Sequence, residues 1–241
     1  MKPSNRSDID PFIVMDVMEA ARAAEAKGRH IIHMEVGQPG TGAPEGARRA
    51  VSEAMEAGTL GYTTAMGVPA LRARIARLYR DRHGLEIDPA RVIVTAGASG
   101  AFVLAFSAAF DAGDKVALGL PGYPSYRQIL RAMSLDPIGL PTDATTRFQP
   151  TPDMIPKDVS GLIVASPSNP TGTMLNKGEL AALILRTSEI GATFISDEIY
   201  HGLDFGRPSV SALEVSDAVY VLKSFSKSFS MPPSFLMTIF H

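Results

Sequence analysis

The sequence predicts an α/β fold in which a mainly parallel sheet lies between two layers of helices. From residue 91 onward, short runs rich in Val and Ile alternate with segments of helical period, the pattern of strands joined by helical crossovers. The chain of 241 residues is long enough to bury a sizeable core. Because no repeat and no linker separates these units, we expect them to form one cooperative domain.

The composition indicates that the partner is a small molecule. The formal net charge is -2 with acidic and basic residues interspersed, so the sequence has no basic stripe for nucleic acid. It contains no cysteine, which excludes disulfides, thiol catalysis and thiolate metal sites. Residues 1–10 lack the apolar core of a signal peptide, and no apolar run approaches the roughly 20 residues of a membrane span. We therefore expect a soluble cytoplasmic protein with neither nucleic-acid nor membrane partners.

The N-terminal segment is predicted to contain a helix, a strand and a glycine turn. Asp10 and Pro11 are interpreted as the N-cap and first residue of an amphipathic helix that runs to Gly28. A short strand is predicted at residues 31–36. The turn that begins at Gly37 either lets the backbone approach a ligand closely or serves chain reversal alone.

The remaining elements follow from hydrophobic period and turn residues. Ligands of such sheets bind beyond the carboxyl ends of the strands, where loops and helix N-termini converge. The predicted strands are residues 92–95, 115–119, 136–140, 161–165, 193–196 and 219–222, and the predicted helices are residues 43–57, 68–83, 98–110, 123–133 and 176–189.

Three strand ends carry residues that suit a flat or anionic ligand. Residues 92–101 pass from a strand through small residues into a helix, whose N-terminal N–H groups suit phosphate, although many strand-to-helix turns have this composition. Tyr123 follows the next strand and either stacks on a planar ring or caps the core. Asn169 lies between prolines, where bare turn chemistry explains it equally well.

Two further strand ends carry ionisable groups. Asp197 follows a buried strand, where a carboxylate is costly unless it meets a cation or several donors; an N-cap is the alternative interpretation. Lys227 follows the last strand and by itself could be a surface lysine, but a desolvated amine becomes a nucleophile toward a carbonyl. His201, like His30 and His33, lacks metal-ligand spacing, and we interpret all three as structural or solvated.

Together these strand ends match pyridoxal 5'-phosphate (PLP). The strings Ser-Asn-Pro-Thr-Gly, Asp-Glu-Ile-Tyr and Ser-Phe-Ser-Lys closely resemble the class I and II aminotransferases, the fold-type-I PLP enzymes related to aspartate aminotransferase. The resemblance extends from the first predicted helix to Met231. It implies an enzyme that transfers an amino group between an L-amino acid and a 2-oxo acid.

The resemblance implies a role for each residue around the cofactor ring. Lys227 would bond covalently to the PLP aldehyde and then move a proton as general base and acid. Asp197 would pair with the protonated ring nitrogen. Tyr200 and Asn169 would hydrogen-bond the phenolic oxygen, with Asn169 also near the substrate. Tyr123 would stack on the ring face.

The resemblance also implies contacts to the phosphate and the substrate. Backbone at Ala98 and Ser99, together with the Ser224 hydroxyl, would hold the phosphate. In dimeric relatives a tyrosine that matches Tyr62 reaches the phosphate of the neighbouring subunit, which implies a homodimer. Gly37 matches a loop glycine that approaches the substrate carboxylate.

The last ten residues depart from the family pattern. After Met231 the family usually continues Thr-Gly-Trp-Arg, whose arginine is a phosphate ligand, and then a C-terminal small domain. Here Pro232 and Pro233 follow, and Phe235 stands at the arginine position. We therefore expect a chain truncated after the active-site lysine, with residues 1–40 as N-terminal arm and start of a small-domain region, residues 41–231 as PLP-binding large domain, and residues 232–241 as an aberrant tail.

Such a truncation leads us to expect an impaired and poorly soluble catalyst. The sheet edge beside residues 219–222 would be open, and the tail would expose Phe235, Leu236, Ile239 and Phe240. Two other functions stay open at this point: a PLP-dependent lyase or decarboxylase acting on an amino acid, and a catalytically inactive remnant. The same site residues serve all PLP chemistry, so the sequence does not separate these reactions.

Overall fold

The computed structural model describes residues 2–58, 61–231 and 237–238, and it confirms the three-layer α/β architecture. Its six-stranded sheet has the order β2-β1-β3-β4-β5-β6. The first five strands pair in parallel, and β6 is antiparallel to β5. The strands are β1 (Lys115–Leu120), β2 (Asp136–Pro141), β3 (Gly161–Ala165), β4 (Thr193–Asp197), β5 (Tyr220–Ser224) and β6 (Met237–Thr238).

The predicted helices are confirmed, with ends that shift by at most three residues. The largest shift is at the first helix, where Asp10 does not act as the N-cap. Its carboxylate instead accepts a hydrogen bond from Arg131 at 2.6 Å, which ties the N-terminal segment to another helix. The helices are α1 (Ile13–Glu25), α2 (Glu45–Ala57), α3 (Pro69–His83), α4 (Gly97–Ala109), α5 (Pro124–Ala132), α6 (Lys177–Glu189) and the short α7 (Phe225–Ser228).

Two apolar clusters fill the space on the two faces of the sheet. On one face α3 and α6 contribute Ile75, Tyr79 and Leu180, and on the other α4 and α5 contribute Phe106 and Leu130. All five side chains are at most 3% exposed. Deleting one such aromatic or aliphatic side chain typically costs about 2–5 kcal/mol, so the two clusters fix the orientation of the strands.

Two predicted strands are absent from the described sheet. Residues 92–95 are extended and mostly buried, but the Val94 N–H donates to the carbonyl of Met66 and the Val92 carbonyl accepts from Arg72 Nε. Residues 31–36 likewise join no described ladder. A strand exists only where a neighbouring strand accepts its backbone hydrogen bonds, and sequence pattern alone does not report that partner.

The expectation of an open edge beside β5 is wrong at two positions. Thr238 pairs with Lys223 and Met237 with Ser224, so β6 covers that end of β5. The tail residues named above (Pro232, Pro233, Phe235, Leu236, Ile239 and Phe240) lie outside the described residues.

Gly67 is the glycine at which a side chain should cost most. Its φ is +97°, and a Cβ would lie 2.4 Å from Cβ of Val94. We expect Gly67→Ala to lower the free energy of unfolding by roughly 2–5 kcal/mol, because strain and overlap add. Gly84→Ala is the matched control, since its φ is +68° with nothing within 4 Å of a Cβ. Equal losses in urea unfolding for the two variants would contradict the overlap argument.

Candidate active site

The parallel strands bring the predicted site residues to one edge of the sheet. Tyr123 follows the end of β1 and Asn169 the end of β3, while Asp197 ends β4. Ser224 ends β5, and Lys227 lies in the short helix that follows. Because all four strands run the same way, these loops are neighbours in space although they lie far apart in sequence.

Lys227 is a half-buried amine in this group of loops. Its Nζ donates to the carbonyl of Gly37 at 2.6 Å and lies 5.8 Å from the centre of the Tyr200 ring. Desolvation lowers the pKa of Lys227 below its usual value. The structure thus joins the glycine turn of the N-terminal segment to the predicted nucleophile.

Asp197 is a fully buried carboxylate, only 2% exposed, on the face of the sheet that α4 and α5 cover. One of its oxygens accepts a hydrogen bond from the Tyr126 hydroxyl, and the other accepts from the Ile199 N–H at 3.1 Å. Burial raises the pKa of Asp197 to about 6 despite these donors, and neighbouring Glu198 adds to the rise. No salt bridge reaches Asp197 within residues 2–58, 61–231 and 237–238.

Aromatic and amide groups surround the space between Asp197 and Lys227. Burial raises the pKa of the Tyr200 hydroxyl, and a hydrogen bond with the Asn169 side chain partly opposes that rise. The Tyr123 ring packs edge-on against Tyr126, with ring centres 5.3 Å apart. The N-terminal segment also reaches this site, because the Phe12 ring packs edge-on against Tyr123.

The start of α4 borders a small cavity of about 200 Å³. Residues 96–99, Ser224, Ser226 and Met231 line it. The N-terminus of α4 has no side-chain cap, so its first turn leaves backbone N–H groups available beside two serine hydroxyls. The Ser224 hydroxyl lies 2.8 Å from that of Ser226. This arrangement of donors suits an anion.

Glu198 lies on the opposite face of the sheet from Asp197. Its Oε1 accepts hydrogen bonds from Ser196, Ser211 and the Ala212 N–H. Consecutive residues at a strand end point to opposite faces, so only one of the two acidic side chains reaches the group of loops described above. The sequence-based choice of Asp197 is consistent with this geometry.

Two residues of this site were not anticipated from the sequence, and one predicted residue lies apart from it. Tyr126 was missed although it stands one helical turn after Tyr123, and Ser226 was missed although it alternates with Ser224. Tyr62 is fully exposed and is not among the residues that the structure brings together. Its predicted contact involves a second subunit, which this single chain does not test.

The buried Asp197 carboxyl should make the stability of the ligand-free protein depend on pH. Its folded pKa of about 6 exceeds the ordinary value of 3.8, so the stability that it contributes is complete below pH 4 and is lost as pH rises through 6. At pH 8 we expect Asp197→Asn to raise the free energy of unfolding by about 1–3 kcal/mol, with no gain at pH 4. Urea unfolding at the two pH values checks this, and an equal effect at both would contradict it.

The architecture and the residues at its strand ends define an α/β protein of the fold-type-I class. The chain belongs to the aminotransferase class I and II family, whose model matches residues 29–233.

Characterised relatives and solved structures agree with this family. The chain is 44% identical to valine–pyruvate aminotransferase of Mycobacterium tuberculosis, over 94% of this chain and 60% of the relative. It resembles a crystal structure of an aminotransferase from Mycobacterium tuberculosis with a TM-score of 0.95 at 42% identity, covering 99% of this chain and 63% of that one. It also resembles aspartate aminotransferase from Thermus thermophilus with maleate, with a TM-score of 0.94 at 27% identity, covering 100% and 65% of the two chains.

These matches cover all or nearly all of this chain but only part of the relatives. The chain spans about 60% of the length of the curated relatives that it matches. Within its described residues, no helix is long and apolar enough to cross a membrane. Those same residues contain no group of three or more His, Cys, Asp or Glu side chains that could hold a metal ion.

Proposed function

We propose that this chain binds PLP and carries the catalytic lysine of an aminotransferase that acts on L-amino acids and 2-oxo acids. The observation that carries the proposal is the pairing of a buried, cation-free carboxylate at Asp197 with a partly desolvated amine at Lys227 in one site. Class I and II aminotransferases depend on PLP. In this proposal residues 41–231 form the PLP-binding domain and residues 1–40 an N-terminal arm.

The described residues fit the chemical groups of PLP. A protonated ring nitrogen would supply the cation that Asp197 lacks, and the donors of Ser224, Ser226 and the first turn of α4 would meet the phosphate. Tyr200 and Asn169 would hydrogen-bond the phenolic oxygen. When bound, PLP supplies an electron sink for reactions at the α-carbon of an amino acid.

Lys227 is proposed to act twice. Its lowered pKa leaves more of the amine unprotonated at neutral pH, as covalent attachment of the cofactor aldehyde requires. With PLP bound, the free Nζ would take up the proton of the substrate α-carbon and return it. In this proposal the N-terminal turn at Gly37 lies where a substrate carboxylate would approach, and the hydrogen bond from Lys227 Nζ to the Gly37 carbonyl supports it.

Asp197 and Tyr126 are proposed to act as one unit. The Tyr126 hydroxyl and the Ile199 N–H hold the two carboxylate oxygens in place. Their hydrogen bonds lower the pKa of Asp197 against the larger effect of burial, so they favour the ionised form that a cationic ring nitrogen needs. Tyr123 would cover one face of the ring.

A homodimer is part of this proposal. The fully exposed Tyr62 supports it, because a phenol in that position is available to a neighbouring subunit. The molecular mass in solution and the PLP affinity should be measured for the PLP-loaded parent and for Tyr62→Phe. The mass reports whether the chain forms a dimer, and the affinity reports whether the Tyr62 hydroxyl contacts the phosphate. A dimer with unchanged PLP affinity in Tyr62→Phe would remove Tyr62 from the site.

The test of the proposed reaction uses the purified chain loaded with PLP. Valine and pyruvate are the first donor and acceptor to try, because they name the activity of the 44% identical relative. We expect valine to convert the bound PLP to pyridoxamine phosphate with one equivalent of the matching 2-oxo acid. Release of carbon dioxide, or of ammonia with no pyridoxamine phosphate, would instead indicate a decarboxylase or a lyase, and no conversion with any amino acid would overturn the proposal for this chain.

A further inference from the structure

His201 lies in the segment after β4, beside the site, and contacts both the segment after β3 and strand β5. It is 1% exposed and directly follows Tyr200. Its Nε2 lies 2.8 Å from the carbonyl of Ser166, three residues before Asn169. Its own carbonyl accepts from Nζ of Lys223 in β5 at 3.2 Å. One residue thus links the segments that carry Asn169, Tyr200 and Ser224.

The hydrogen-bond partners of the His201 ring determine which of its nitrogens carries a hydrogen. The carbonyl of Ser166 only accepts, so Nε2 of His201 must carry a hydrogen. Nδ1 of the same ring lies 3.3 Å from Oε2 of Glu198 without the alignment of a hydrogen bond, and neither atom has a hydrogen-bond partner among the described residues. Two bare acceptors at that distance would repel in a buried site, so one of the two groups carries a proton.

The hydrogen bonds of Glu198 indicate which group holds that proton. Oε1 accepts three hydrogen bonds while Oε2 accepts none, as expected for a neutral acid whose Oε2 carries the hydrogen. Burial raises the pKa of Glu198, although Lys223 opposes the rise, and burial lowers the pKa of His201 to about 3. Lys223 and His83 lower the pKa of His201 further, while the hydrogen bond to the Ser166 carbonyl and the charge of Asp204 raise it.

We propose that His201 is a positioning residue, held as the neutral Nε2–H form by its hydrogen bond to the carbonyl of Ser166 and by protonated Glu198 beside Nδ1, and that it sets Asn169 and Tyr200 at the proper distance from Lys227. This inference rests on the proposed binding of PLP above these strand ends. Losing the link would loosen the segment after β3, because the carbonyl of Ser166 would lose its imidazole donor in a buried place, although the Ser166 N–H would still donate to the carbonyl of Asp197. The hydrogen bonds from Tyr200 and Asn169 to the phenolic oxygen of PLP would then weaken.

The first test needs no cofactor. Nitrogen NMR of the histidine-labelled, PLP-free chain should show one neutral imidazole in the Nε2–H form whose signal disappears in His201→Gln and persists in His33→Gln. His33 is the matched control because it is exposed and, among the described residues, pairs with Glu25 and Glu35. A doubly protonated ring or an Nδ1–H form at neutral pH would overturn the proposal, whether or not the chain binds PLP.

The second test reads the cofactor environment in PLP-loaded variants. We expect His201→Leu to move the pH at which the visible absorption band of bound PLP changes by about one unit, and to weaken PLP binding about tenfold. His201→Gln keeps an amide N–H that can reach the carbonyl of Ser166, and it should recover most of both effects. Glu198→Gln keeps a donor toward Nδ1 and an acceptor at Oε1, so its band should match that of the parent.

These outcomes separate the inference from the proposed function. If the parent chain binds no PLP, the proposed function fails and the NMR result alone decides the role of the Glu198–His201 pair. If PLP binds and both His201 variants keep the parent spectrum, the positioning role is wrong while PLP binding stands. If His201→Leu does not fold, the spectra of His201→Gln and Glu198→Gln decide, and a large shift in Glu198→Gln counts against a protonated Glu198.

Discussion

Lys227→Ala should abolish covalent attachment of PLP to this chain. Borohydride reduction of the PLP-loaded parent, followed by peptide mapping, should place one pyridoxyl group per chain on Lys227 and none in the variant. Any transamination should fall by at least about 10²- to 10⁴-fold, the range that a general acid–base group contributes. The physical reason is that Nζ of Lys227 lies among the strand-end loops, beside Gly37 and Tyr200. Partial desolvation also lowers its pKa, which makes the amine a better nucleophile.

Two other lysines serve as controls for this result. Lys115→Ala removes an exposed amine that pairs with Asp158, and it should leave labelling unchanged. Lys223 also has a lowered pKa, of about 8, but it is buried on the side of Glu198 and His201. A pyridoxyl group found on Lys223 or Lys115 in the parent chain would reject the assignment of Lys227.

Asp197→Asn should weaken PLP binding by about 10²- to 10⁴-fold, since removing one partner of a buried charge pair typically costs about 3–5 kcal/mol. Glu198→Gln should change the PLP affinity less than about threefold, because a neutral Glu198 and a glutamine offer the same donor and acceptor. Fluorescence or absorbance titration with PLP measures both affinities. Equal losses in the two variants would mean that the wrong carboxylate has been assigned to the ring nitrogen.

The same substitution should have opposite consequences for binding and for stability. Asp197→Asn removes a buried carboxylate whose pKa is raised by burial, so the ligand-free variant should be more stable than the parent above pH 6. In the parent, bound PLP would offset the stability lost to the unpaired Asp197 carboxylate, because its ring nitrogen would form a charge-assisted hydrogen bond with that carboxylate. A residue that destabilises the empty protein and strengthens its complex is typical of a binding site, and this contrast separates a cofactor role from a structural role.

The site contains residues that the sequence predicts and one tyrosine that it does not. Tyr123, Asn169, Asp197 and Lys227 were predicted because each follows a recognisable strand and belongs to a short motif. Tyr126 was missed because its hydroxyl reaches Asp197 from a neighbouring helix, and only the packing of α5 on the sheet brings the two together. A donor that is remote in sequence leaves no local pattern.

The sequence by itself determined the fold class, five of the six strands in the sheet, and the order of site residues along the chain. It could do so because strand and helix periods are local and because parallel strands place their carboxyl ends at one edge. Only the tertiary structure decided that residues 92–95 join no described ladder, that Met237–Thr238 cover the end of β5, and that Glu198 faces His201. Backbone pairing and the protonation of buried groups depend on neighbours that are distant in sequence, and those neighbours are fixed only when the chain folds.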